Sequence, residues 1–263
     1  MSLSCLILIT ILFMCCGNAT IIEVSQPQIN ALYDLYSTTN GNQWYFRSDE
    51  DQFGKVWNFS TTTINPCDGW QGIICEPSRT NLSQGVITEL SLNIFNIQGM
   101  IPNSISNLTS LEVFTLIDNY INGTIPKNIC TLQNLIFLDF SVNDLDQTIP
   151  NCLFTDLIQL EALNLAHNRF TGHIYNFTTT SSSLITTQNE NLPETYCKHL
   201  FYLNLGSNLL TGPIPYNIYV LRNLSYLYFD TNYFTSTIPG ECDSVIYVMC
   251  VIRHCLLHNL CMI

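Results

Sequence analysis

Apolar residues recur along the middle of the chain in a short, repeated register. In LNLGSNLLTGPIP, Leu203 to Pro215, two leucines stand two positions apart and are followed by Asn, Gly and Ile-Pro. Nearly the same skeleton runs from Leu163 to Tyr175 and from Phe114 to Pro126. The registers begin at Ile87, Leu111, Leu135, Leu160, Leu200 and Leu224, in steps of 24, 24, 25, 40 and 24 residues. Such a period marks stacked units that cannot bury their apolar faces alone.

Within each unit the pattern is L-x-x-L-x-L-x-x-N-x-L-x-G-x-I-P. The pairs Leu90/Leu92, Phe114/Leu116, Leu138/Phe140, Leu163/Leu165, Leu203/Leu205 and Leu227/Phe229 alternate at period two. They predict short strands with one face in the core, paired in parallel between units. Asn119, Asn143, Asn168, Asn208 and Asn232 follow the strands. A buried Asn is costly unless satisfied, so each is expected to bond the backbone leaving the strand and build a ladder. Gly99, Gly123, Gly172 and Gly212 mark tight turns with positive φ. Ile-Pro then sets an extended return segment.

Ahead of the repeats, Ile29, Leu32, Leu35 and Tyr36 share one helical stripe after Pro27. With Trp44, Trp57 and Trp70 this helix is expected to cover the open cross-section of the first unit. The tryptophans are read as core packing rather than ligand stacking.

These units resemble plant-type leucine-rich repeats, and NPCDGWQGIIC, Asn65 to Cys75, is similar to that family's N-terminal cap pattern C-x-x-W-x-G-I-x-C. The resemblance runs from about Ala31 to Ile246. It implies an α/β solenoid: a right-handed superhelix with a short parallel concave β-sheet and an N-terminal helical cap. It extends to ectodomains of receptor-like proteins and receptor kinases and to secreted polygalacturonase inhibitors. It maps the cap disulfide onto Cys67 and Cys75. Cys130 and Cys152, in IPKNIC and IPNCL of adjacent repeats, match cysteines on the back of such repeats. Neighbouring units lie about 5 Å apart, so a bond between them is within reach and stays open. The implied organisation is a signal peptide over 1–19, a cap over 20–86, and six repeats over 87–247 with an insertion at about 176–191. An atypical Cys-rich hydrophobic tail over 248–263 completes it.

Several positions depart from the pattern. Phe95 replaces the first Asn, so the ladder is expected to begin with the second repeat. Gln147 and Ser236 replace Gly, and Tyr175 replaces Pro ahead of NFTTTSSSLITTQNEN. That stretch reads as a polar loop. It is either a functional insert, as solenoid insertions often are, or a plain glycosylated surface loop. The tail is too hydrophobic for a cap and reads as the truncated end of a longer protein. Cys250, His254, His258 and Cys261 share a helical stripe there. One short helix wraps a tetrahedral ion poorly, so no metal and no cofactor are expected.

Composition narrows the function. Hydrophobic residues make up 47% and charged residues 11%, which excludes a disordered chain. A net charge of -12 with eight scattered basic residues argues against nucleic acid and against an anionic membrane surface. Leu3 to Cys16 is almost wholly apolar, and Gly17 and Ala19 form a small-x-small cleavage pattern. This reads as a secretory signal, with an uncleaved anchor as the alternative. Of twelve cysteines three leave with it, and the odd remainder leaves one unpaired. Asn58, Asn81, Asn107, Asn122, Asn176 and Asn223 stand in N-x-S/T sequons.

No nucleophile elbow, zinc helix, P-loop or kinase signature occurs, and Asp118, Asp139 and Asp230 form no compact group. No catalytic residue is therefore expected. Strand residues between the leucines point away from the core. Their first column reads Glu89, Val113, Phe137, Ala162, Tyr202, Tyr226, and the second Ser91, Thr115, Asp139, Asn164, Asn204, Tyr228. Asp230 and His167 belong to the third and fourth columns. This face carries no Lys or Arg. With Tyr202, Tyr226 and Tyr228 at one end, it suits a basic or neutral peptide, a protein, or a sugar. The expected function is extracellular, non-catalytic recognition on the concave face. The alternatives are a structural or adhesion protein, or a fragment of a membrane receptor. A membrane enters only if the native chain is longer or its N-terminal segment is retained.

Overall fold

A computed structural model describes residues 23–174, 197–215, 218, 220–235 and 247–248. The signal segment, the insertion with Asn176, Ser236, and the tail beyond Val248 lie outside the described residues.

The period-two pairs form one parallel sheet. Its repeat strands follow sequence order: Gln84–Ser91, Val113–Thr115, Phe137–Asp139, Ala162–Asn164, Tyr202–Asn204 and Tyr226–Tyr228, with Tyr247–Val248 beside the last and the cap strands Glu23–Val24, parallel, and Ile73–Pro77, antiparallel, on the first. Leu90, Phe114, Leu138, Leu163, Leu203 and Leu227 stand in one row. A one-residue slip would turn that buried row to solvent, so the hydrophobic pattern sets the register. Leu163 pairs directly with Leu203, so the sheet is continuous across the 40-residue step.

The asparagine ladder forms as expected. Asn119 Nδ2 donates to the Leu92 carbonyl of the preceding unit at 2.9 Å, and its Oδ1 accepts from the Phe95 and Ile97 amides at 3.0 Å. Asn143, Asn168, Asn208 and Asn232 each reach back in the same way, to Leu116, Phe140, Leu165 and Leu205. The first unit has no earlier repeat to bond. Phe95 takes the Asn position there and packs edge-on against Phe46 of the cap, ring centroids 5.8 Å apart.

Turning the chain inward at each Asn has a conformational cost. The residue just before the Asn position adopts positive φ in all six units: Ile94, Asp118, Val142, His167, Ser207 and Thr231, between 53° and 63°. For the β-branched members this region is strongly disfavoured. The sequence pattern gave no sign of it.

The glycine segments also differ from expectation. They carry parallel pairing of their own, in two short sheets: Gln98–Gly99, Tyr120–Gly123 and Asp144–Leu145, then Thr171–Gly172, Leu209–Gly212 and Tyr233–Phe234. Extended backbone in stacked units places its amides at strand spacing, so it pairs wherever it runs straight. Gly123, Gly172 and Gly212 have φ of 74°, 80° and 77°, and Gln147 holds the equivalent place at 64°.

At the N-terminal end, helix Gln26–Thr38 buries Ile29, Ala31, Leu32 and Leu35 against the first unit. Gln28 is buried too, and its Oε1 accepts from the Ile87 amide at 3.0 Å, tying helix to sheet. Trp44, Trp57 and Trp70 are buried, and Trp57 stacks on Trp70 at 5.5 Å, so their role is packing.

Two disulfides are present, Cys67–Cys75 in the cap and Cys130–Cys152 across adjacent repeats. Cys197 is free and buried. It occupies the place held by Leu108, Leu132, Leu157 and Leu221 in other units, three positions before the next register leucine. Among the described residues no helix is long and apolar enough to cross a membrane.

Candidate functional site

The concave sheet brings the expected residues into two ordered rows. Val113, Phe137, Ala162, Tyr202 and Tyr226 are register neighbours in the first. Thr115, Asp139, Asn164, Asn204 and Tyr228 are neighbours in the second.

The rows are not equally open. Phe137 is 37% exposed and Tyr226 44%, whereas Thr115 and Asp139 are 5% and 6% exposed. Thr115 and Asp139 were expected to face solvent; the structure buries both. The Asp139 carboxylate is committed within the sheet. Its Oδ1 accepts from the Ser141 amide at 2.9 Å and the Ser141 hydroxyl at 2.6 Å, and its Oδ2 accepts from Asn164 Nδ2 at 2.9 Å.

Asn164 and Asn204 repeat the same local device. The Oδ1 of Asn164 accepts from the Ala166 amide at 3.2 Å, and that of Asn204 from the Gly206 amide at 3.0 Å. The reason lies in the ladder. Alternate amides past each strand bond the next unit, as Phe140 does to Asn164 and Val142 to Ala166. The amide between them has no such partner and takes the side chain two residues earlier. The second row is thus mainly a support for the backbone. In the Val113–Thr115 unit, Thr115 cannot serve this way. There Asn93 of the preceding unit accepts from the Ile117 amide at 2.8 Å.

The tyrosines do converge. Tyr202 stands 6.1 Å from Tyr226 and 5.7 Å from Tyr228, centroid to centroid, with rings tilted at 44° and 47°. Asn204 Nδ2 donates to the Tyr202 hydroxyl at 3.3 Å. Burial pushes the Tyr202 phenol above its ordinary pKa; Tyr228 and the Asp139 carboxylate add to this, and the Asn204 bond opposes it.

Asp230 is half-buried, and a side chain at Gly206 would meet its Oδ1 at 2.7 Å. Gly206 therefore makes room for this carboxylate. His167 is exposed on the turn before Asn168, apart from the tyrosines in the register.

Asn58, Asn81, Asn107, Asn122 and Asn223 are exposed, and none lies on a strand of the concave sheet. Asn223 Nδ2 donates to the Lys198 carbonyl at 2.7 Å, as Asn134 does to Thr109 at 2.9 Å three unit boundaries earlier in the stack.

No protein-family model matches this chain. It is 29% identical over 194 residues to Phytosulfokine receptor 1 of Arabidopsis thaliana, covering 65% of this chain and 17% of the receptor. It is 36% identical over 137 residues to Receptor-like protein 35 of the same plant, 52% of this chain and 12% of that protein. The chain thus spans less than a fifth of the length of these two curated relatives. Among solved structures, the ectodomain of the receptor kinase SOBIR1 from Arabidopsis thaliana superposes with a TM-score of 0.59 at 23% identity, over 81% of this chain and 97% of that one, a likeness of fold. The PEPR1-AtPEP1 structure gives a TM-score of 0.60 at 28% identity, over 82% of this chain and 26% of that one.

Proposed function

We propose that this chain, a plant-type leucine-rich-repeat protein similar to receptor ectodomains, recognises a protein or peptide partner on its concave sheet and carries out no reaction. The observation that carries this reading is the cluster of Tyr202, Tyr226 and Tyr228 on a face free of described sequons. Half-exposed aromatic rings supply large contact area at small entropic cost. Phe137 continues the first row on the far side of Ala162, which is 3% exposed. Val113, Asn164 and Asn204 lie beside them, with Asp230 in the next column. Asp139 supports the surface from below.

The relatives support the reading by their nature: a phytosulfokine receptor and a receptor-like protein. The PEPR1-AtPEP1 structure, which by its name pairs two components, supports a bound partner. Two disulfides fit an oxidising, extracellular or cell-surface setting. The exposed Asn58, Asn81, Asn107 and Asn122 are the proposed glycan sites, together with Asn176. Asn223 is the poorest acceptor, because its amide already holds two repeats together.

A photo-cross-linking amino acid placed at Tyr226 tests the proposal, with the same group at Tyr120, 58% exposed on the glycine-segment sheet, as comparison. Protein or peptide adducts from position 226 and not 120 are expected. Equal adducts from both would favour a structural role with dispersed contacts.

A further inference from the structure

We propose that a pocket at the head of the concave sheet takes a carboxylate of the peptide lying on that face; this rests on the concave-face reading above. The pocket has a volume of about 190 Å³ and is lined by Arg47, Phe53, Gln71, Gly72, Ser91 and Asn93, among others. Ser91 ends the first repeat strand of the concave sheet, so the pocket adjoins the binding face. Five strand steps of about 4.8 Å separate that strand from Tyr226, a span of about 24 Å that an extended segment of about seven residues covers.

Arg47 is held ready. Gln71 is 2% exposed, and its side chain clamps the Arg47 backbone from both sides. Its Oε1 accepts from the Arg47 amide at 2.9 Å, and its Nε2 donates to the Arg47 carbonyl at 2.7 Å and to the Gly54 carbonyl at 2.9 Å. Trp57 fixes Gln71 in turn, donating to its carbonyl at 2.8 Å. The guanidinium stands 4.6 Å from the centre of the Phe53 ring. Gly72 lets the cap close on the strand, since a Cβ there would lie 2.4 Å from the Ser91 carbonyl oxygen.

Charge points to the ligand. The chain has 20 acidic residues against eight basic ones, yet Arg47 forms no ion pair among the described residues. Asn93 adds a donor, because Ile117 occupies its Oδ1 and its Nδ2 has no partner among the described residues. A planar fork with an amide donor beside it matches a carboxylate. Glu89 opposes such a ligand; its Oε1 accepts from the Ser91 hydroxyl at 2.7 Å.

The test uses N-acetyl-aspartate amide and its neutral counterpart N-acetyl-asparagine amide as probes. Each is titrated into the isotope-labelled chain while the Arg47 Nε–H and Asn93 side-chain amide signals are followed. Saturable shifts with about tenfold preference for the aspartate probe are expected, the size of one charge-assisted hydrogen bond. Arg47→Gln should erase the preference and Glu89→Gln should increase it. Equal affinities, a preference that survives in Arg47→Gln, or tighter binding of inorganic sulfate than of the aspartate probe would overturn the assignment. Cross-linking at Tyr226 reads the concave face separately. Its failure with the probe preference intact removes the face and not the pocket, and the reverse result removes the pocket alone.

Discussion

Asn143 Nδ2 donates to the Leu116 carbonyl, 27 positions earlier, at 2.8 Å, and so bonds the third repeat to the second through the buried edge of the stack. The same amide meets the Phe140 and Ser141 carbonyls at 3.2 Å, and its Oδ1 accepts from the Ile121 amide at 3.0 Å. Asn143→Leu matches the side chain in size but leaves buried backbone groups unpaired. A loss of about 3 kcal/mol is expected in urea unfolding. A loss under about 1 kcal/mol would mean that the ladder is not what joins the units.

The ladder was legible in the sequence because one residue type had one physical use at one spacing. The leucine rows and the positive-φ glycines were legible for the same reason, whereas the cap disulfide followed only from the family resemblance. The concave face was legible only in part. Alternation places Asp139 outward of the leucines, but not whether a neighbour such as Asn164 closes over its carboxylate. The Gln71 clamp on Arg47 joins residues 24 apart through non-repeating cap segments, and no period announces such a contact. The left-handed turn before each Asn was invisible because the residues there, from Ile94 to Thr231, share no chemistry.

Cys197 substitutes for a leucine, and its thiol shows it. Its Sγ shares a proton between the Leu153 and Leu157 carbonyls, at 3.2 and 3.1 Å. Burial, with a smaller push from the Asp156 carboxylate, raises its pKa to about 12. The raised value means that the neutral thiol contributes its full stability below the ordinary thiol range. That contribution is lost as pH climbs towards 12. Alkylation at neutral pH, mapped by mass spectrometry, should spare Cys197 until the chain unfolds. Rapid native labelling at this residue would refute its burial.

The Cys130–Cys152 bond closes a loop of 22 residues across two repeats. Chain-entropy reasoning gives such a bond about 3 kcal/mol. The double substitution Cys130→Ala with Cys152→Ala should lower the urea midpoint accordingly, with Cys67–Cys75 intact. An unchanged midpoint would mean that stacking alone fixes this geometry.

Tyr202 should ionise above the ordinary tyrosine range. Its raised pKa favours the neutral phenol in the folded state, so its contribution is complete below the unfolded value of about 10 and declines above it. Tyr202→Phe should therefore flatten the alkaline limb of the stability curve, as measured by unfolding at a series of pH values. A limb of unchanged slope would place the titration elsewhere.

Val142 offers the reverse experiment, a gain. It is 42% exposed and holds φ of 59° directly before Asn143. A β-branched side chain crowds the carbonyl in that region, whereas Asn visits it readily. Little buried contact is lost on replacement, and the turn itself must remain because Asn143 depends on it. Val142→Asn is expected to raise stability by about 1 kcal/mol. Asn143→Leu should cancel part of that gain, because the strained turn then has no ladder bond to serve. Destabilisation by Val142→Asn alone would show that Val142 contributes packing that outweighs its strain.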